Sequence, residues 1–456
     1  MLQTVDVNEV RVGMFVHLDL GWWAHPFALS SFLVTTPEQV ATIRGLGLKQ
    51  LRWNPEKSRL SDGPEPPGDG ADADAIRLSD EAMDAGPPGA AHPGAVEAVA
   101  ADAQAAAHLA AAAAAEHAAA QAATPLGAQR AAQRLCEQQY GEAGRAWHEA
   151  QRQVPQDPEK ARVITESLTR SLLDKMMLDQ EMCVRVLSDV GGDRISGHAL
   201  NVAVIALLMG RVFGFSDEEM LNLGTGAMLH DVGKLDLPDR VRHLEGHLST
   251  AEQLAYREHV ALGVAHGRRM GLSEGALMVL AEHHEMADGS GFPNKMGLDR
   301  MCIGARIVAL VNRYDNLCNP AQAAQSLTPH EALSHIFAQT RNKFDATMLN
   351  AFIRMMGVYP PGSVVQLTDD RYASVVSCNS SRPLKPRVLV CDTKVPIEEA
   401  LLLNLDGQTD LGIRRSLKPG QLPAAARDYL SPHPRMVYFF EPARADDVDA
   451  MEAMAA

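Results

Sequence analysis

The chain has 456 residues, of which 46% are hydrophobic and 22% are charged. This composition is typical of globular proteins, and the length allows roughly two to four domains. The 57 acidic residues outnumber the 42 basic residues and give a net charge of -15. That balance argues against a protein that binds DNA, an RNA polymer or an anionic membrane over a broad surface, although a small anionic ligand is still compatible with it.

Cysteine usage and the start of the chain indicate the compartment. The six cysteines are scattered and form no C-x-x-C pair, which favours a reduced protein. The N-terminus carries Asp6 and Glu9 and lacks the basic, then apolar, start of a signal peptide. The longest apolar run, Ala199 to Gly210, is too short to cross a bilayer and contains Asn201. We therefore expect a cytoplasmic protein without a membrane span.

Residues 1–60 are predicted to form a small β-rich module. Arg11 to Leu18 alternates around a glycine, and Phe32 to Val34 is a second strand candidate. Thr36 then begins a short helix, with proline at the first helical position and Gln39 at the third. The aromatic stretch Trp22 to Phe27 could bind a ligand, but the pattern favours a compact hydrophobic module.

Two stretches of different composition follow this module. Residues 61–125 are rich in Pro, Gly and Ala and predict a linker, whose alanine-rich part from 94 to 123 could form a solvated helix. Residues 126–184 carry apolar side chains at spacings of three and four, which predicts a helical connector.

The rest of the chain divides into a helical part and a β-containing part. Residues 185–357 are helical by pattern, and Ser216, Ser249 and Thr328 each begin a capping box. Residues 358–443 predict a β-containing appendage, with a hairpin at 363–377 and strands at 387–391 and 436–440. The fold class is therefore mainly α, a helical bundle between a β-rich N-terminal module and a β-containing C-terminal appendage.

Imidazole and carboxylate side chains cluster at the predicted helix ends, often beside glycines. A lone histidine on a core-facing helix is usually structural, but a set of this size indicates metal binding. Six ligands are too many for one ion with open positions and suit two ions that share a carboxylate. Mixed nitrogen and oxygen ligands favour Fe, Mn or Zn over Mg or Ca, and we expect Fe or Mn. The candidate ligands are His198, His230, Asp231, His259, His283 and His284.

A lysine follows the His-Asp pair and suggests the chemistry. Two metal ions about 3.5–4 Å apart can hold both oxygens of an in-line phosphoryl displacement. Lys234 would neutralise the charge that develops on the phosphate. The residues alone therefore predict a metal-dependent phosphohydrolase.

The motif set H…HD-x-G-K…H…HHE-x-x-D-G-S-G-F-P, within residues 185–345, resembles the HD-GYP family of HD-superfamily metal phosphohydrolases. The resemblance implies a cyclic di-GMP phosphodiesterase that yields linear pGpG and then GMP. It implies that the six ligands bind the metals, that Asp231 bridges them, and that Lys234 contacts the scissile phosphate. Residues 5–53 are similar, more weakly, to a small N-terminal domain often fused to this family.

The glycine-rich loop of this family has a counterpart here, with Phe for Tyr. The resemblance implies that the loop shapes the site wall and offers a surface on which a partner protein could dock. Asp288 joins Asp231 and Lys234 as a predicted catalytic residue. The predicted wall and substrate contacts in the loop are Gly289, Gly291, Phe292 and Pro293.

Three positions depart from the family pattern. Asn312 stands where the family has a final metal-binding aspartate, so either Asn312 binds weakly or Asp315 compensates. Arg194 stands where some members carry a glutamate for a third metal, so we expect two metals. A basic segment is replaced by residues 319–322, so basic contacts to the nucleotide would come from elsewhere, such as Arg313. Asp315 and Arg313 are therefore included among the predicted substrate contacts.

Three functions are weighed on this basis. The leading hypothesis is an active cyclic di-GMP phosphodiesterase. Asn312 and the missing basic segment motivate a second, a module that binds cyclic di-GMP or a partner without hydrolysis. The third is an HD-type phosphohydrolase for another cyclic dinucleotide or a nucleoside phosphate. The oligomeric state is open, a homodimer included.

Overall fold

The computed structural model describes residues 3–18, 31–59, 124–176, 182–187, 194–243, 248–379, 382–432 and 435–442. The chain divides into two compact units. The first comprises Met1–His17 with Phe32–Ala128, and the second Leu18–Ser31 with Gln129–Ala456. The predicted linker from 61 to 123 and the aromatic stretch from 22 to 27 lie outside the described residues.

The first unit contains a four-stranded sheet with the strand order β1-β4-β2-β3. Thr36 caps helix α1 in the predicted capping box with Gln39. Val16, Val34 and Ile43 are fully buried and form part of its core. The predicted β-rich module is therefore confirmed. Its elements are β1 Gln3–Asp6, β2 Phe15–His17, β3 Ser31–Leu33, α1 Pro37–Arg44 and β4 Gln50–Trp53.

The second unit is mainly helical. Ser216, Ser249 and Thr328 each form the predicted capping box at the start of a helix. The helices are α2 Pro125–Gln156, α3 Pro158–Met176, α4 Arg194–Val212, α5 Asp217–Leu229, α6 Asp239–Arg242, α7 Thr250–Met270, α8 Glu274–Glu282, α9 Ile303–Cys318, α10 Pro329–Gln339, α11 Ala346–Met356 and α12 Ala424–Leu430.

Helix α4 is the central helix of this unit and packs mainly against α5 and α9. Every residue from Ala199 to Gly210 is buried, because neighbours cover the helix on all sides. By length and apolar content α4 could cross a membrane, but 72% of it is buried inside the unit. A helix that is apolar all round and covered in this way is a core helix.

A seven-stranded antiparallel sheet completes the second unit, in the order β10-β6-β7-β5-β11, with β8 on β7 and β9 on β8. The predicted hairpin at 363–377 is confirmed as β6 and β7, and the later predicted strands appear as β8 and β11. The strands are β5 Met182–Val186, β6 Val364–Leu367, β7 Tyr372–Asn379, β8 Arg387–Val390, β9 Leu402–Asn404, β10 Ile413–Leu417 and β11 Tyr438–Pro442.

Strand β5 corrects the sequence prediction, which treated this stretch as helical. Met182–Val186 is buried at every position and pairs with β7 on one side and β11 on the other. A central strand covered on both faces shows no polar alternation, so its sequence does not reveal the strand. Arg185 on β5 forms a buried ion pair with Glu441 on β11, at 2.8 Å. Strand β11 also contacts α4, so the C-terminal strand lies beside the helix that carries His198.

Candidate metal centre

The six candidate ligands come from four helices of the second unit. His198 lies on α4, His259 on α7, and His230 and His283 are the C-terminal caps of α5 and α8. Asp231 and His284 directly follow the two caps. Because each helix contributes its ligand at one end of the bundle, residues far apart in sequence meet in one place.

A glycine brings the His-Asp pair close to α7. The turn Val232–Asp236 crosses α7, and a Cβ atom on Gly233 would lie 2.0 Å from the carbonyl oxygen of His259 and 2.4 Å from the nitrogen of Gly263. No side chain can occupy that space, since both contacts are to backbone. The glycine of the HD-x-G-K motif is therefore required for the approach of Asp231 to His259.

The ligands form two groups that share Asp231. In each group the candidate ligand atoms lie within 4.8 Å of one another. Oδ2 of Asp231 lies 3.7 Å from His198 Nε2 and 3.4 Å from His230 Nε2. Its Oδ1 lies 3.5 Å from His259 Nε2 and 3.9 Å from His283 Nε2. We call the residues His198, His230 and Asp231 the His198 group, and Asp231, His259, His283 and His284 the His284 group.

The hydrogen bonds of the imidazoles leave their Nε2 atoms directed at the centre of each group. Nδ1 of His230 and His283 faces the carbonyl oxygen three residues earlier, at 2.7 and 2.8 Å. The two pairs of Nε2 atoms, His198 with His230 and His259 with His283, are 3.2 and 3.3 Å apart. With the protons on Nδ1, these Nε2 atoms carry facing lone pairs, which a cation between them would stabilise.

Buried atoms without hydrogen-bond partners support the same conclusion. Oδ1 of Asp231 and Nε2 of His284 are both buried, and among the described residues neither has a hydrogen-bond partner. Buried polar atoms normally have partners, so unsatisfied ones require an explanation such as a bound ion. Divalent metal ions fit the residues present.

Burial sets the protonation of the histidines in the His284 group. It lowers the pKa of His259 to about 4 and lowers the pKa values of His283 and His284 well below their usual range. These imidazoles are therefore neutral at neutral pH, which is the form that binds metal.

Asp231 and Lys234 stabilise each other's charges. Lys234 Nζ donates to Asp231 Oδ2 at 2.5 Å and lies 5.0 Å from the centre of the Tyr256 ring. Burial acts to raise the pKa of Asp231, but the Lys234 ammonium and the imidazoles lower it well below its usual range. Burial acts to lower the pKa of Lys234, but the Asp231 carboxylate raises it above the ordinary value. Both groups are charged at neutral pH.

A cleft of about 590 Å³ opens beside the His284 group. That volume is in the range of small-molecule sites. Arg313 is exposed and lines it, at the position predicted for a basic contact to the nucleotide. The other polar residues along the cleft are Gln253, Tyr256, Asn312, Asn316, Gln322 and Gln325.

The glycine-rich loop packs against the metal centre. Phe292 stacks on His284, with ring centroids 4.5 Å apart, and Arg257 lies 5.1 Å from the Phe292 ring. A Cβ atom on Gly291 would lie 2.5 Å from the backbone of residues 284–286, so only glycine fits. The buried carboxylate of Glu285 accepts hydrogen bonds from the backbone of Asn294 and Met296, at 2.6 and 2.8 Å. Gly291 and Phe292 therefore support His284.

Asp288 stabilises the loop and does not join either ligand group. Its carboxylate accepts hydrogen bonds from the Ser290 backbone at 3.0 Å and from Asn342 Nδ2 at 3.1 Å. The residue is exposed, and both of its oxygens are engaged in the loop. Its catalytic role therefore stays a prediction, and the structure shows the carboxylate engaged in the turn, outside both ligand groups. Gly289 has φ +75°, which the same turn requires.

Asp315 requires a second correction. It was predicted to contact substrate or complete the metal site, but it is fully buried behind His198. Its Oδ2 lies 2.6 Å from His198 Nδ1. Asp315 therefore orients a ligand and fixes its tautomer. Asn312 lines the cleft beside His283 and His284, and its amide oxygen accepts a hydrogen bond from Asn316, so its metal ligation stays a prediction.

Arg194 lies on the other side of the centre. It lines a small cavity of about 50 Å³ together with His198, Asp231 and Lys234. A cation at this position is consistent with the expectation of two metals. Glu285 and Tyr256 were not among the residues predicted for the site. Glu285 stands inside the H-H-E motif, and its place in that motif was the feature from which a role could have been predicted.

Comparisons with known proteins agree with this geometry. Residues 181–348 match the family model described as HD domain. Residues 2–162 match a second model, described as a domain of unknown function (DUF3391), which covers the predicted N-terminal module and part of the helical connector.

Three curated relatives are similar to part of this chain. Cyclic di-GMP phosphodiesterase PA4108 of Pseudomonas aeruginosa is 29% identical over 47% of this chain and 52% of its own length. The cyclic di-GMP phosphodiesterase response regulator RpfG of Xanthomonas campestris is 31% identical over 33% and 40%. The 3'3'-cGAMP-specific phosphodiesterase 2 of Vibrio cholerae is 28% identical over 34% and 30%.

These matches confirm the resemblance to HD-GYP phosphodiesterases, and the mainly α fold class is confirmed with it. The chain spans about half the length of the Pseudomonas relative and less of the other two. The residues that match the HD-domain model, 181–348, contain both ligand groups.

Proposed function

We propose that the protein is a metal-dependent phosphodiesterase that hydrolyses cyclic di-GMP to linear pGpG, GMP or both. The observation that carries the proposal is Asp231, whose two oxygens face different groups of imidazoles while Lys234 neutralises it. That arrangement fits a carboxylate bridging two ions beside a phosphate. The names of two relatives, both cyclic di-GMP phosphodiesterases, support the choice of substrate.

The roles of the residues follow from their positions. Ions bound by the two ligand groups would supply Lewis-acid activation of water and of the phosphate. Lys234 is held by Asp231 and would place its ammonium against the scissile phosphate, where negative charge develops. Arg313 is exposed on the cleft and would contact the second phosphate or a base. Gln322 lines the same cleft and can donate hydrogen bonds to the nucleotide, whereas the amide nitrogen of Asn316 donates to Asn312.

We further propose that the centre holds two transition-metal ions, with Fe or Mn as the expected metals. Imidazole nitrogens outnumber carboxylate oxygens in both groups, which disfavours Mg and Ca. Asn312 would add a neutral amide oxygen to the His284 group, a weaker ligand than carboxylate.

A second candidate is hydrolysis of a different cyclic dinucleotide. One relative is named as specific for 3'3'-cGAMP, and the cleft contains glutamines and asparagines that could read either purine. Rates on cyclic di-GMP, 3'3'-cGAMP and linear pGpG, measured with one preparation, would rank the substrates. A non-hydrolytic binding module would instead give tight nucleotide binding without any product.

The proposal is tested with the full chain, purified anaerobically and loaded with Fe²⁺ or Mn²⁺. We expect two ions per chain and conversion of cyclic di-GMP to pGpG or GMP, detected by chromatography. Folded protein that binds these metals and gives no product from any cyclic dinucleotide would contradict the proposal.

We propose a cytoplasmic protein, which the scattered positions of the six cysteines and the lack of a C-x-x-C pair support. A partner protein could dock on the exposed residues Pro293 to Lys295, since Gly291 and Phe292 face inward. The homodimer stays a prediction, and sedimentation of the purified chain tests it.

A further inference from the structure

The C-terminal strand reaches the metal centre through two asparagines. The backbone carbonyl of Met436 accepts hydrogen bonds from Asn201 Nδ2 and Asn319 Nδ2, both at 2.8 Å. In return, the backbone N–H of Met436 donates to Asn319 Oδ1 and that of Tyr438 donates to Asn201 Oδ1, both at 2.8 Å. The backbone at 436–438 therefore forms hydrogen bonds with both the nitrogen and the oxygen of each side-chain amide.

The same two asparagines hold Asp315. Asn201 Nδ2 donates to Asp315 Oδ1 at 2.7 Å, and Asn319 Nδ2 donates to the same oxygen at 2.9 Å. The other oxygen of Asp315 faces His198 Nδ1 at 2.6 Å. A continuous path of hydrogen bonds thus runs from the backbone of the C-terminal strand to a candidate metal ligand.

The amide orientation in this path is fixed by chemistry. Each asparagine uses its nitrogen for Asp315 and the Met436 carbonyl, and its oxygen for a backbone N–H. Exchanging oxygen and nitrogen in either amide would set oxygen against the Asp315 carboxylate and N–H against backbone N–H. Asp315 is fully buried, and the two amide donors satisfy the oxygen that does not face His198.

The strand that carries the path is itself firmly held. Tyr438, Phe439 and Phe440 are buried, and the Tyr438 hydroxyl lies 3.1 Å from that of Tyr314 on α9. Strand β11 also pairs with β5 over five residues and holds the buried ion pair of Glu441 with Arg185. These contacts would oppose a small displacement of residues 436–438. A displacement that did occur would move both asparagines.

We propose that the segment Met436–Tyr438, which leads into strand β11, is an outer part of the metal centre, and that Asn201 and Asn319 are positioning residues which act through Asp315 on His198. The inference rests on the proposed metal binding and adds to it. It gives the β-containing appendage a function, since docking of this segment fixes the orientation and tautomer of one ligand. Outer partners of metal-ligating histidines change metal affinity by about 10- to 100-fold when they are removed.

The proposal predicts an effect on one metal site only. Asp315 contacts His198, and within the described residues no hydrogen bond links it to His259, His283 or His284. Asn319→Ala should therefore weaken binding at the His198 group about 10- to 100-fold, while the ion at the His284 group keeps nearly its original affinity. A general loss of stability would weaken both sites together.

Titration of the metal-free full chain with Mn²⁺, followed by calorimetry and by electron paramagnetic resonance of free Mn²⁺, gives the two affinities without any turnover. Asn319→Asp is the second variant. It is isosteric and keeps an acceptor for the Met436 N–H, but it loses the donor to Asp315, so it should weaken the same site. The visible absorption of the Co²⁺-loaded variants should change in the bands of one ion only.

Ser326→Ala is the matched control. Ser326 Oγ donates to the Cys318 carbonyl at 2.6 Å, near the same end of α9, and within the described part of the chain no hydrogen bond links it to Asp315 or Met436. It should leave both affinities unchanged. If wild-type protein binds two ions and folded Asn319→Asp binds both equally well, the positioning role is wrong while the proposed function stands. If wild-type protein binds no metal, the proposed function and this inference are both wrong.

Discussion

The two ligand groups are built from the same kinds of side chain but are held in place differently. In the His284 group, His259 and His283 each direct Nδ1 at a backbone carbonyl three residues earlier in their own helix. His284 is held by the stacked ring of Phe292. In the His198 group, His230 also uses a carbonyl of its own helix, but His198 depends on the side chain of Asp315.

The contacts that orient His259 and His283 are local, whereas the contacts that orient His198 are long-range. A carbonyl three residues away is supplied by any helix, so the orientation of His259 or His283 survives most substitutions elsewhere. The orientation of His198 needs Asp315, two asparagines and a strand from the end of the chain. The His198 group should therefore be the more sensitive of the two to changes far from the site.

The strongest test of the comparison is the residue that both groups share. Asp231→Asn removes the charge between the two groups and should release both ions, unlike the single-site loss expected of Asn319→Ala. Turnover should fall by at least roughly 10³-fold, since several kcal/mol of charge stabilisation are lost. Metal analysis and product formation are the measurements.

Asp236→Asn is the matched control for that variant. Asp236 lies on the same turn and pairs with His266 at 2.8 Å, outside both groups. It should keep both ions. Retention of two tightly bound ions by folded Asp231→Asn protein would contradict the bridging role and the division into two groups.

A substitution of Lys234 tests whether Asp231, the carboxylate that both groups share, has a partner that does not bind metal. Lys234→Met should lower kcat by about 10²- to 10³-fold, the loss typical of one group that stabilises transition-state charge. Both ions should stay bound, because an ammonium is not a metal ligand. Metal content and kcat are measured on the same sample. Loss of metal as complete as in Asp231→Asn would show that Lys234 maintains the site structurally and would contradict the proposed phosphate contact.

The features that depend on residues close together in the sequence could be predicted. The capping boxes at Ser216, Ser249 and Thr328 predict the starts of α5, α7 and α10, because a cap depends on residues three positions apart. The hairpin of β6 and β7 follows from alternation around a four-residue turn. The six predicted histidine and aspartate ligands form the two groups that could hold metal ions, although His259 lies in the middle of α7 and not at a helix end.

The features that depend on contacts between residues far apart in the sequence could not be predicted. Strand β5 has no alternation because both of its faces are covered. Asn201 was visible only as a polar residue in an apolar run, and it lies 114 positions from Asp315 and 235 from Met436. Asn319 lay in a segment noted only for its missing basic residues. An amide that bridges a carboxylate and a distant backbone leaves no local pattern, so Asp315 was misassigned to the substrate.

The histidines of the His284 group predict how the metal-free protein responds to acid. The pKa of His259 is lowered to about 4 in the folded state, against 6.5 when unfolded. Between these values the unfolded chain binds protons that the folded chain does not, so stability falls as the pH drops from 6.5 toward 4. His259 alone would account for about 3 kcal/mol of this loss at the acid end.

Urea unfolding of metal-free protein at several pH values measures this slope. His259→Gln, which cannot titrate, should unfold with a smaller decrease in stability over the same range. Equal slopes in the two proteins would mean that His259 is not buried and neutral in the folded state, and would weaken the contrast between the two groups.

The smallest expected effect concerns the loop that supports His284. Phe292→Ala removes the stacked ring, and such aromatic pairs contribute about 0.5–1.5 kcal/mol, so affinity at the His284 group should fall by roughly 2- to 12-fold. Phe292→Tyr keeps the ring and should bind as wild type. Mn²⁺ titration resolves the two sites, and the His198 group should be unaffected. If Phe292→Ala instead weakened the His198 group, the two groups would not be held independently, because the loop contacts only His259 and His284 among the ligands.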